Sequence, residues 1–133
     1  MKVSFDFDGT LFLTSVEEYA KELVQRGIEV WVVTSRVGDD EHENESQPWK
    51  SPNWNDDLWE SCERIGIPKD QVEFTSFKDK IEFLKGKNFE FHIDDDFYEL
   101  LAIMESGDSC KPVNVNHFEW KQTCEEILKI KKD

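Results

Sequence analysis

The chain has 133 residues, of which 30 are acidic and 16 are basic, and its formal net charge is −14 at pH 7. This length predicts a single domain over 1–133 that is able to bury a hydrophobic core. The acidic excess argues against a nucleic-acid partner, because binding a phosphate backbone requires a surface rich in Lys and Arg. No apolar run approaches the ~18 residues of a membrane span, so no membrane is expected.

The start of the chain and its cysteines predict a cytoplasmic protein. Met1-Lys2 leads directly into an apolar stretch that Asp6 interrupts, which is not the pattern of a secretory signal peptide. Cys62, Cys110 and Cys124 are odd in number and widely spaced, and they form no zinc pattern. We expect each thiol to act as a small hydrophobe in a reducing compartment.

The first predicted element is a buried strand that ends in two carboxylates and a turn. The apolar residues between positions 3 and 7 favour a strand, whereas Asp6 and Asp8 are poor strand residues. Gly9 permits a tight backbone turn directly after them. Two carboxylates this close repel each other, and a hard divalent cation such as Mg²⁺ is the usual means of relieving that repulsion.

The sequence DFDGTL at 6–11 resembles motif I of the haloacid dehalogenase (HAD) superfamily of phosphohydrolases. In that family the first Asp is the nucleophile and forms an aspartyl-phosphate. The second Asp is the general acid/base, and its main-chain carbonyl also binds Mg²⁺. The resemblance implies that Asp6 is the nucleophile, that Asp8 is the acid/base, and that both contribute to the metal site. It also implies substrate contacts from Gly9 and Thr10, whereas the alternative is a solvated acidic turn.

A strand–helix–strand unit follows from the spacing of the apolar residues. Residues 14–26 have the periodicity of one helical face, with two competing capping-box patterns that begin at Thr14 and Ser15, and Gly27 ends the helix. Residues 28–33 form a nearly continuous apolar run, typical of a strand buried on both faces of a parallel sheet. The tight connections predict a βαβ unit.

The second strand ends in Thr34-Ser35-Arg36, which resembles HAD motif II. In that motif a Ser or Thr hydroxyl hydrogen-bonds the transferring phosphoryl group without adding charge. We assign this role to Thr34, with Ser35 as the alternative, and a strand-ending turn without function is the other interpretation. Arg36 either grips a substrate phosphate or carboxylate or pairs with the acidic run that follows it.

Residues 37–55 are predicted to form an irregular loop, rich in Trp and Pro, near the active site. Its acidic run at 39–45 indicates a solvated loop, with a second metal site as an alternative. The density of Pro and Trp indicates an ordered loop rather than a linker. Because the loop leaves the carboxyl end of the second strand, Trp49 or Trp54 either contacts the leaving group of the substrate or covers the sheet edge.

The next predicted elements are a helix that begins at Asp56, a short third strand over 72–74 and a compact helix over 77–84. HAD motif III is a lysine near the start of such a helix, where it offsets the negative charge of the nucleophile and phosphate. The resemblance implies Lys80 in this role, with Lys78 as the close rival. A solvated lysine is the ordinary alternative for either residue.

A fourth strand over 89–93 ends in Asp94-Asp95-Asp96, which resembles HAD motif IV. The resemblance implies that Asp94 binds Mg²⁺ directly and that Asp95 binds it through water or orients it. Asp96 is better placed to cap the following helix. We expect His92 to be a satisfied structural histidine rather than a ligand.

A helix over 97–105, a fifth strand over 111–116 and a closing helix over 117–132 complete the chain. The inner face of the closing helix is predicted to consist of apolar residues, namely Phe118, Cys124, Ile127, Leu128 and Ile130. The pattern predicts an α/β fold with a central parallel sheet of about five strands. The resemblance implies a HAD-like Rossmannoid three-layer α/β/α arrangement with no full cap domain.

The function implied by the resemblance is that of a Mg-dependent phosphatase, a phosphoric monoester hydrolase acting through an aspartyl-phosphate on Asp6. Its partner would be a phosphorylated small molecule or an exposed phosphate ester, and the enzyme would be a monomer or a homo-oligomer. One alternative is a HAD-fold binding or regulatory module with weak or no catalysis. Another is a receiver-like phospho-signalling domain, against which the third strand argues because it ends without an Asp.

Overall fold

The structure is a computed structural model that describes residues 1–39 and 53–132. Within these residues five strands form one sheet, and they are β1 (Lys2–Phe5), β2 (Glu29–Thr34), β3 (Val72–Phe74), β4 (Phe91–Asp94) and β5 (Lys111–Asn114). All neighbours pair in parallel, in the order β3-β2-β1-β4-β5. The predicted α/β class with a parallel sheet of about five strands is therefore confirmed, and the arrangement is Rossmann-like.

Helices cover both faces of this sheet, and they are α1 (Thr14–Gln25), α2 (Asp56–Ile65), α3 (Lys80–Leu84), α4 (Phe97–Ser106) and α5 (Trp120–Lys132). Successive side chains of a strand point to opposite faces. Val32 accordingly packs in the larger hydrophobic cluster with α1, α2 and α5, whereas Val33 packs in the smaller one with α3 and α4. Within the described residues, no helix is both long enough and apolar enough to cross a membrane.

The larger cluster is centred on Phe5 of β1. The Phe5 ring lies edge-on to Tyr19 of α1 and to Phe91 of β4, with centroid separations of 6.5 Å and 6.3 Å. Burying one such side chain contributes roughly 1.5–3 kcal/mol. The three cysteines are free and buried, as expected for small hydrophobes.

The order of the strands determines where a site can form. The chain runs from β1 outward through β2 to β3, and then returns to the other side of β1 to form β4 and β5. The connections after β1 and β4 therefore diverge and leave a crevice at the carboxyl ends of these strands, which is where open α/β sheets bind ligands. Asp6 follows β1 directly and Asp94 ends β4.

The predicted start of the third helix was wrong. The sequence predicted a helix over 77–84, but α3 begins at Lys80. Ser76 and Phe77 have positive φ angles of 53° and 68°, and Asp79 is extended. A right-handed helix cannot include residues in the left-handed region, so only the last part of the predicted span is helical.

The ends of two other helices also differ from prediction. The closing helix was predicted from residue 117 but begins at Trp120, so Phe118 precedes it and is 87% exposed. Ile130 is 73% exposed because it lies two residues past buried Leu128, on the opposite side of the helix. Neither capping box forms at α1, where Leu13 is the N-cap residue and no side chain caps the helix.

Candidate functional site

The connection after β1 brings Asp6 into the crevice. The main-chain N–H of Asp6 donates to the carbonyl of Ile93 at 2.8 Å, which extends the contact between β1 and β4. The chain then makes one wide turn over Phe7–Leu11. Within it Gly9 has a φ of +74°, and a β-carbon at this position would overlap the carboxylate of Asp95. The left-handed conformation therefore favours glycine, and with a larger residue the Asp95 side chain would have to move.

Lys80 joins two carboxylates at the base of the crevice. Its Nζ donates to Oδ1 of Asp6 at 2.8 Å and to Oδ2 of Asp94 at 2.7 Å. All three side chains are buried, with exposures of 3% for Lys80, 6% for Asp6 and 0% for Asp94. The Thr10 hydroxyl donates to the other oxygen of Asp6 at 3.3 Å. These buried charges are tolerated because each one satisfies another.

A second set of hydrogen bonds fixes Asp94. Nε2 of His92 lies 2.7 Å from Oδ2 of Asp94, and Nδ1 of His92 lies 2.7 Å from Oγ of Ser4. The main-chain N–H of Asp96 donates to Oδ1 of Asp94 at 3.0 Å. His92 is fully buried with both ring nitrogens engaged, which is the environment expected of a structural histidine.

The pKa values of the two buried carboxylates, Asp6 and Asp94, are shifted in opposite directions. Burial and the charge of Asp94 raise the pKa of Asp6 to about 8, against the opposing effect of Lys80. For Asp94, burial acts in the same direction, but His92 and Lys80 outweigh it and hold the pKa below its usual range. Burial lowers the pKa of His92, so its imidazole is neutral near pH 7. The raised pKa of Asp6 indicates that Lys80 alone does not fully offset the cost of burying this carboxylate beside Asp94.

The acidic residues of the crevice fit a hard divalent cation. One carboxylate oxygen from each of Asp6, Asp94 and Asp95 lies within 4.8 Å of the others. Such an all-oxygen donor set is the kind that Mg²⁺ and Ca²⁺ prefer. Lys80 supplies one positive charge to this group of three carboxylates, and the raised pKa of Asp6 reflects the resulting excess of negative charge.

The crevice opens as a cavity of about 280 Å³, lined by Asp6, Asp8, Ser35, Lys80, Asp94, Asp95 and Asp96. Pockets that enclose a whole small molecule have volumes of about 300–1,000 Å³. This cavity lies just below that range and is lined mainly by polar groups. It suits a small polar group better than an entire substrate.

The structure distinguishes between the alternative residues for two roles, namely Thr34 or Ser35 as the hydroxyl and Lys78 or Lys80 as the lysine. Ser35 lines the cavity, whereas Thr34 is fully buried and its hydroxyl accepts a hydrogen bond from the main-chain N–H of Arg36 at 3.2 Å. Lys80 contacts the carboxylates, whereas Lys78 is exposed and lines a different cavity of about 360 Å³. The geometry therefore favours Ser35 over Thr34 and Lys80 over Lys78.

The Arg36 guanidinium lies between two carboxylates. Nε and Nη2 donate to Oδ2 and Oδ1 of Asp8 at 3.0 Å and 2.8 Å. Nη1 and Nη2 donate to Oδ1 and Oδ2 of Asp57, the second residue of α2, at 2.8 Å and 3.0 Å. The sequence analysis had considered only a substrate or the acidic run as partners of Arg36. Apart from Asp39, that run lies outside the described residues, as does Trp49.

Several partners in the site were missed by the sequence analysis. Asp57 carries no local signal, because its partner is 21 residues away in the chain. The same holds for Glu99 of α4, whose carboxylate accepts the main-chain N–H of Lys80 at 2.9 Å. Ser4 did carry a signal, because it is a polar residue inside an otherwise apolar strand.

Comparisons with protein-family models, with curated proteins and with solved structures gave no match for this chain. The assignment of a function therefore depends on the chemistry of these residues and on their geometry. The most informative feature is the buried contact of Lys80 with Asp6 and Asp94, at the crevice between β1 and β4.

Proposed function

We propose that the chain is a Mg-dependent phosphoric monoester hydrolase of the HAD type, which forms an aspartyl-phosphate on Asp6. The observation that carries this proposal is the contact of Lys80 with both Asp6 and Asp94. The three residues come from three separate motifs, and their contact is the relation that the HAD resemblance implies. Short motifs in a sequence do not by themselves require such contacts, so the geometry is independent support.

The proposed metal site consists of Asp6, Asp94 and the main-chain carbonyl of Asp8, with Asp95 acting through water. When bound, Mg²⁺ offsets the charge of the nucleophile and polarises the phosphoryl group. Binding would require Asp6 to be ionised, because the carboxylate is the proposed ligand. Lys80 donates to both carboxylates and would keep them oriented for the metal.

In the first proposed step, an oxygen of Asp6 attacks phosphorus and forms the acyl-phosphate. The ester P–O bond breaks, and its electron pair leaves with the ester oxygen, which takes a proton from Asp8. The hydrogen bonds from Lys80 and Thr10 hold the attacking carboxylate in one orientation. The Ser35 hydroxyl donates to a phosphoryl oxygen.

In the second step, water attacks phosphorus and loses a proton to Asp8, which now acts as the base. The bond from phosphorus to the Asp6 oxygen breaks, and its electron pair returns to the carboxylate. Phosphate is released, and both residues regain their starting protonation.

The substrate class follows from the size and charge of the site. The cavity of about 280 Å³ accommodates a phosphoryl group and leaves the remainder of the ester outside. The absence of a full cap domain from the proposed fold agrees with an exposed phosphate ester or a phosphorylated small molecule. The net charge of −14 counts against nucleic acid. A reducing, cytoplasmic setting fits the free thiols.

A receiver-like signalling domain is the less favoured alternative. Receiver domains have the strand order 2-1-3-4-5, whereas the order here is 3-2-1-4-5. The strand that carries the proposed phosphoacceptor is the first one in the chain, and β3 is at the edge of the sheet. A HAD-fold binding module would have the same fold and the same site residues as the enzyme, but it would not turn over a substrate.

Turnover is therefore the test of the proposed function. The wild-type chain should hydrolyse members of a panel of phosphate esters in Mg²⁺ and lose this activity in EDTA. Lys80→Met should lower kcat/KM by about 10²-fold or more, because the charge beside the nucleophile is lost. Lys78→Met is the matched control and should retain activity. Hydrolysis that persists without divalent metal, or equal losses in the two variants, would contradict the proposal.

A further inference from the structure

We infer that Arg36 is a positioning residue that fixes the carboxylate of Asp8 for proton transfer, and that Asp57 holds Arg36 in place. This inference rests on the proposed function, because Asp8 is the acid/base of that reaction. It replaces direct binding of a substrate anion by Arg36, which is the role that the residue type alone suggests.

The contact with Asp8 fixes the plane of its carboxylate. Two parallel N–H donors of Arg36 reach the two oxygens of Asp8, at 3.0 Å and 2.8 Å. The Asp8 side chain is 58% exposed and lies on a turn, so without this contact it would be free to sample other rotamers. Each carboxylate oxygen has a second lone pair, so the fork leaves room for a proton on the solvent side.

Arg36 is itself held from several directions. Its side chain is only 12% exposed, and its Cζ lies over the rings of Phe7 and Trp54, at 4.8 Å and 5.5 Å from their centroids. Nη1 and Nη2 donate to the two oxygens of Asp57, and Nη1 also donates to the carbonyl of Trp54 at 3.3 Å. A guanidinium that is stacked and paired in this way has little freedom to move.

A count of donors distinguishes positioning from substrate binding. A guanidinium has five N–H groups. Two of those on Arg36 reach Asp8, two reach Asp57 and one reaches the carbonyl of Trp54. All five are therefore committed to protein groups, and none is left for a phosphate. Asp57 is not among the residues that line the cavity, so its connection to the chemistry runs through Arg36.

The test uses two esters of similar shape whose leaving groups differ in basicity. Nitrophenolate leaves readily without a proton, whereas phenolate is more basic and depends more on the general acid. Arg36→Met and Asp57→Asn should therefore lower kcat/KM for phenyl phosphate about tenfold more than for p-nitrophenyl phosphate. Because kcat/KM covers only the steps up to formation of the aspartyl-phosphate, the common second step does not mask the difference. Competitive inhibition by inorganic phosphate should be unchanged.

The ion pair between Arg64 and Glu17 provides a matched control, because Arg64 lies on the same helix as Asp57. Arg64 of α2 pairs with Glu17 of α1 at 2.8 Å, and neither residue lines the cavity. Arg64→Met and Glu17→Gln should leave the ratio of the two kcat/KM values at its wild-type value. If Arg36→Met does not fold, Asp57→Asn still tests the inference, since Asp57 is exposed and an amide is tolerated at a helix start.

The possible outcomes separate the inference from the proposed function. An equal loss on both esters would show that Arg36 and Asp57 are merely structural, and weaker inhibition by phosphate would show direct substrate binding. Either result overturns the inference and leaves the phosphatase intact. Failure of the wild-type chain to hydrolyse any ester would overturn the proposed function, and the inference with it.

Discussion

The raised pKa of Asp6 is the central feature at the scale of single residues, because a proton would compete there with the cation that we propose. Burial and the nearby Asp94 raise the pKa of Asp6 to about 8, even though Lys80 lies 2.8 Å away. Because the single ammonium of Lys80 is shared by Asp6 and Asp94, its positive charge does not balance the two buried carboxylates. A divalent ion would supply that charge and displace the proton, so the affinity for metal and the pH are linked at this residue.

This linkage predicts how stability depends on pH. Without metal, the folded pKa of about 8 for Asp6 lies above its unfolded value of ~3.9, so the folded state binds more protons between these limits. The free energy of unfolding contributed by this residue should therefore fall as the pH rises from about 4 to 8 and then level off. Denaturation in EDTA at several pH values measures the slope. Asp6→Asn should reduce the slope, and an identical slope in wild type and variant would contradict the account.

Asp8, the proposed acid/base residue, gives a second prediction at this scale. Asp8→Asn should lower kcat by about 10²–10⁴-fold, because the amide cannot transfer the proton. The affinity for Mg²⁺ should change little, since the main-chain carbonyl at this position is kept. Steady-state kinetics and a Mg²⁺ titration followed by calorimetry measure the two effects. A large loss of Mg²⁺ affinity would instead place the side chain of Asp8 on the metal.

The sequence could predict acidic candidates better than their partners. Asp6 and Asp94 follow apolar strands, and this local pattern is sufficient to bring them to one edge of a parallel sheet. The choice between Thr34 and Ser35 depends on the direction in which each side chain points at the end of β2, which the residue types do not determine. The pairing of Arg36 with Asp57 depends on where α2 begins in space, after an irregular segment.

At the scale of elements, tertiary hydrogen bonds explain where prediction failed. The strands and α2 carried local signals, and Gly66 ends α2 with a φ of +98°. The connection from β3 to α3 carried no such local signal, because its shape depends on hydrogen bonds from its N–H groups to the carbonyls of the residues that follow β2. Ser76 donates to the carbonyl of Arg36 at 3.2 Å, and Phe77 donates to that of Ser35 at 2.9 Å. These bonds delay the helix until Lys80 and thereby aim its side chain at the site.

The cap of α4 gives a prediction at this scale. Asp96 accepts hydrogen bonds on Oδ1 from the main-chain N–H groups of Tyr98 and Glu99, at 2.9 Å and 3.4 Å. Asp96→Ala should lower the free energy of unfolding by about 0.5–2 kcal/mol, because two N–H groups lose their acceptor. Asp96→Asn keeps an acceptor and should cost less. Urea denaturation compares the two, and an equal cost would mean that the cap does not stabilise α4.

At the scale of the whole molecule, the site lies where the order of the strands reverses. Asp6 belongs to the half of the sheet that runs outward to β3, and Asp94 belongs to the half that continues to β5. Lys80 is on α3, which lies between β3 and β4 in the chain, and its Nζ donates to both Asp6 and Asp94. A metal ion bound to Asp6 and Asp94 would therefore join the two halves, and its binding should stabilise the whole fold.

The expected stabilisation follows from mass action. Mg²⁺ at 100 times its Kd should add about 2.7 kcal/mol to the free energy of unfolding. At the same concentration Asp95→Asn should gain less, because the variant lacks the negative charge of an exposed carboxylate that we propose assists metal binding through water. Asp70→Asn, at an exposed acidic position in the turn Lys69–Gln71, is the control and should gain as much as wild type. Equal gains in all three proteins would exclude Asp95 from the metal site.

Location of the covalent intermediate is the most direct test of the proposed chemistry. The wild-type chain would be mixed with a phosphate ester in Mg²⁺ and treated with hydroxylamine, which converts an acyl-phosphate to a hydroxamate. Peptide mass spectrometry should then find the hydroxamate on Asp6, with none in Asp6→Asn. A label on Asp8, Asp94 or any other residue, or turnover without a label in wild type and undiminished in Asp6→Asn, would contradict an aspartyl-phosphate on Asp6.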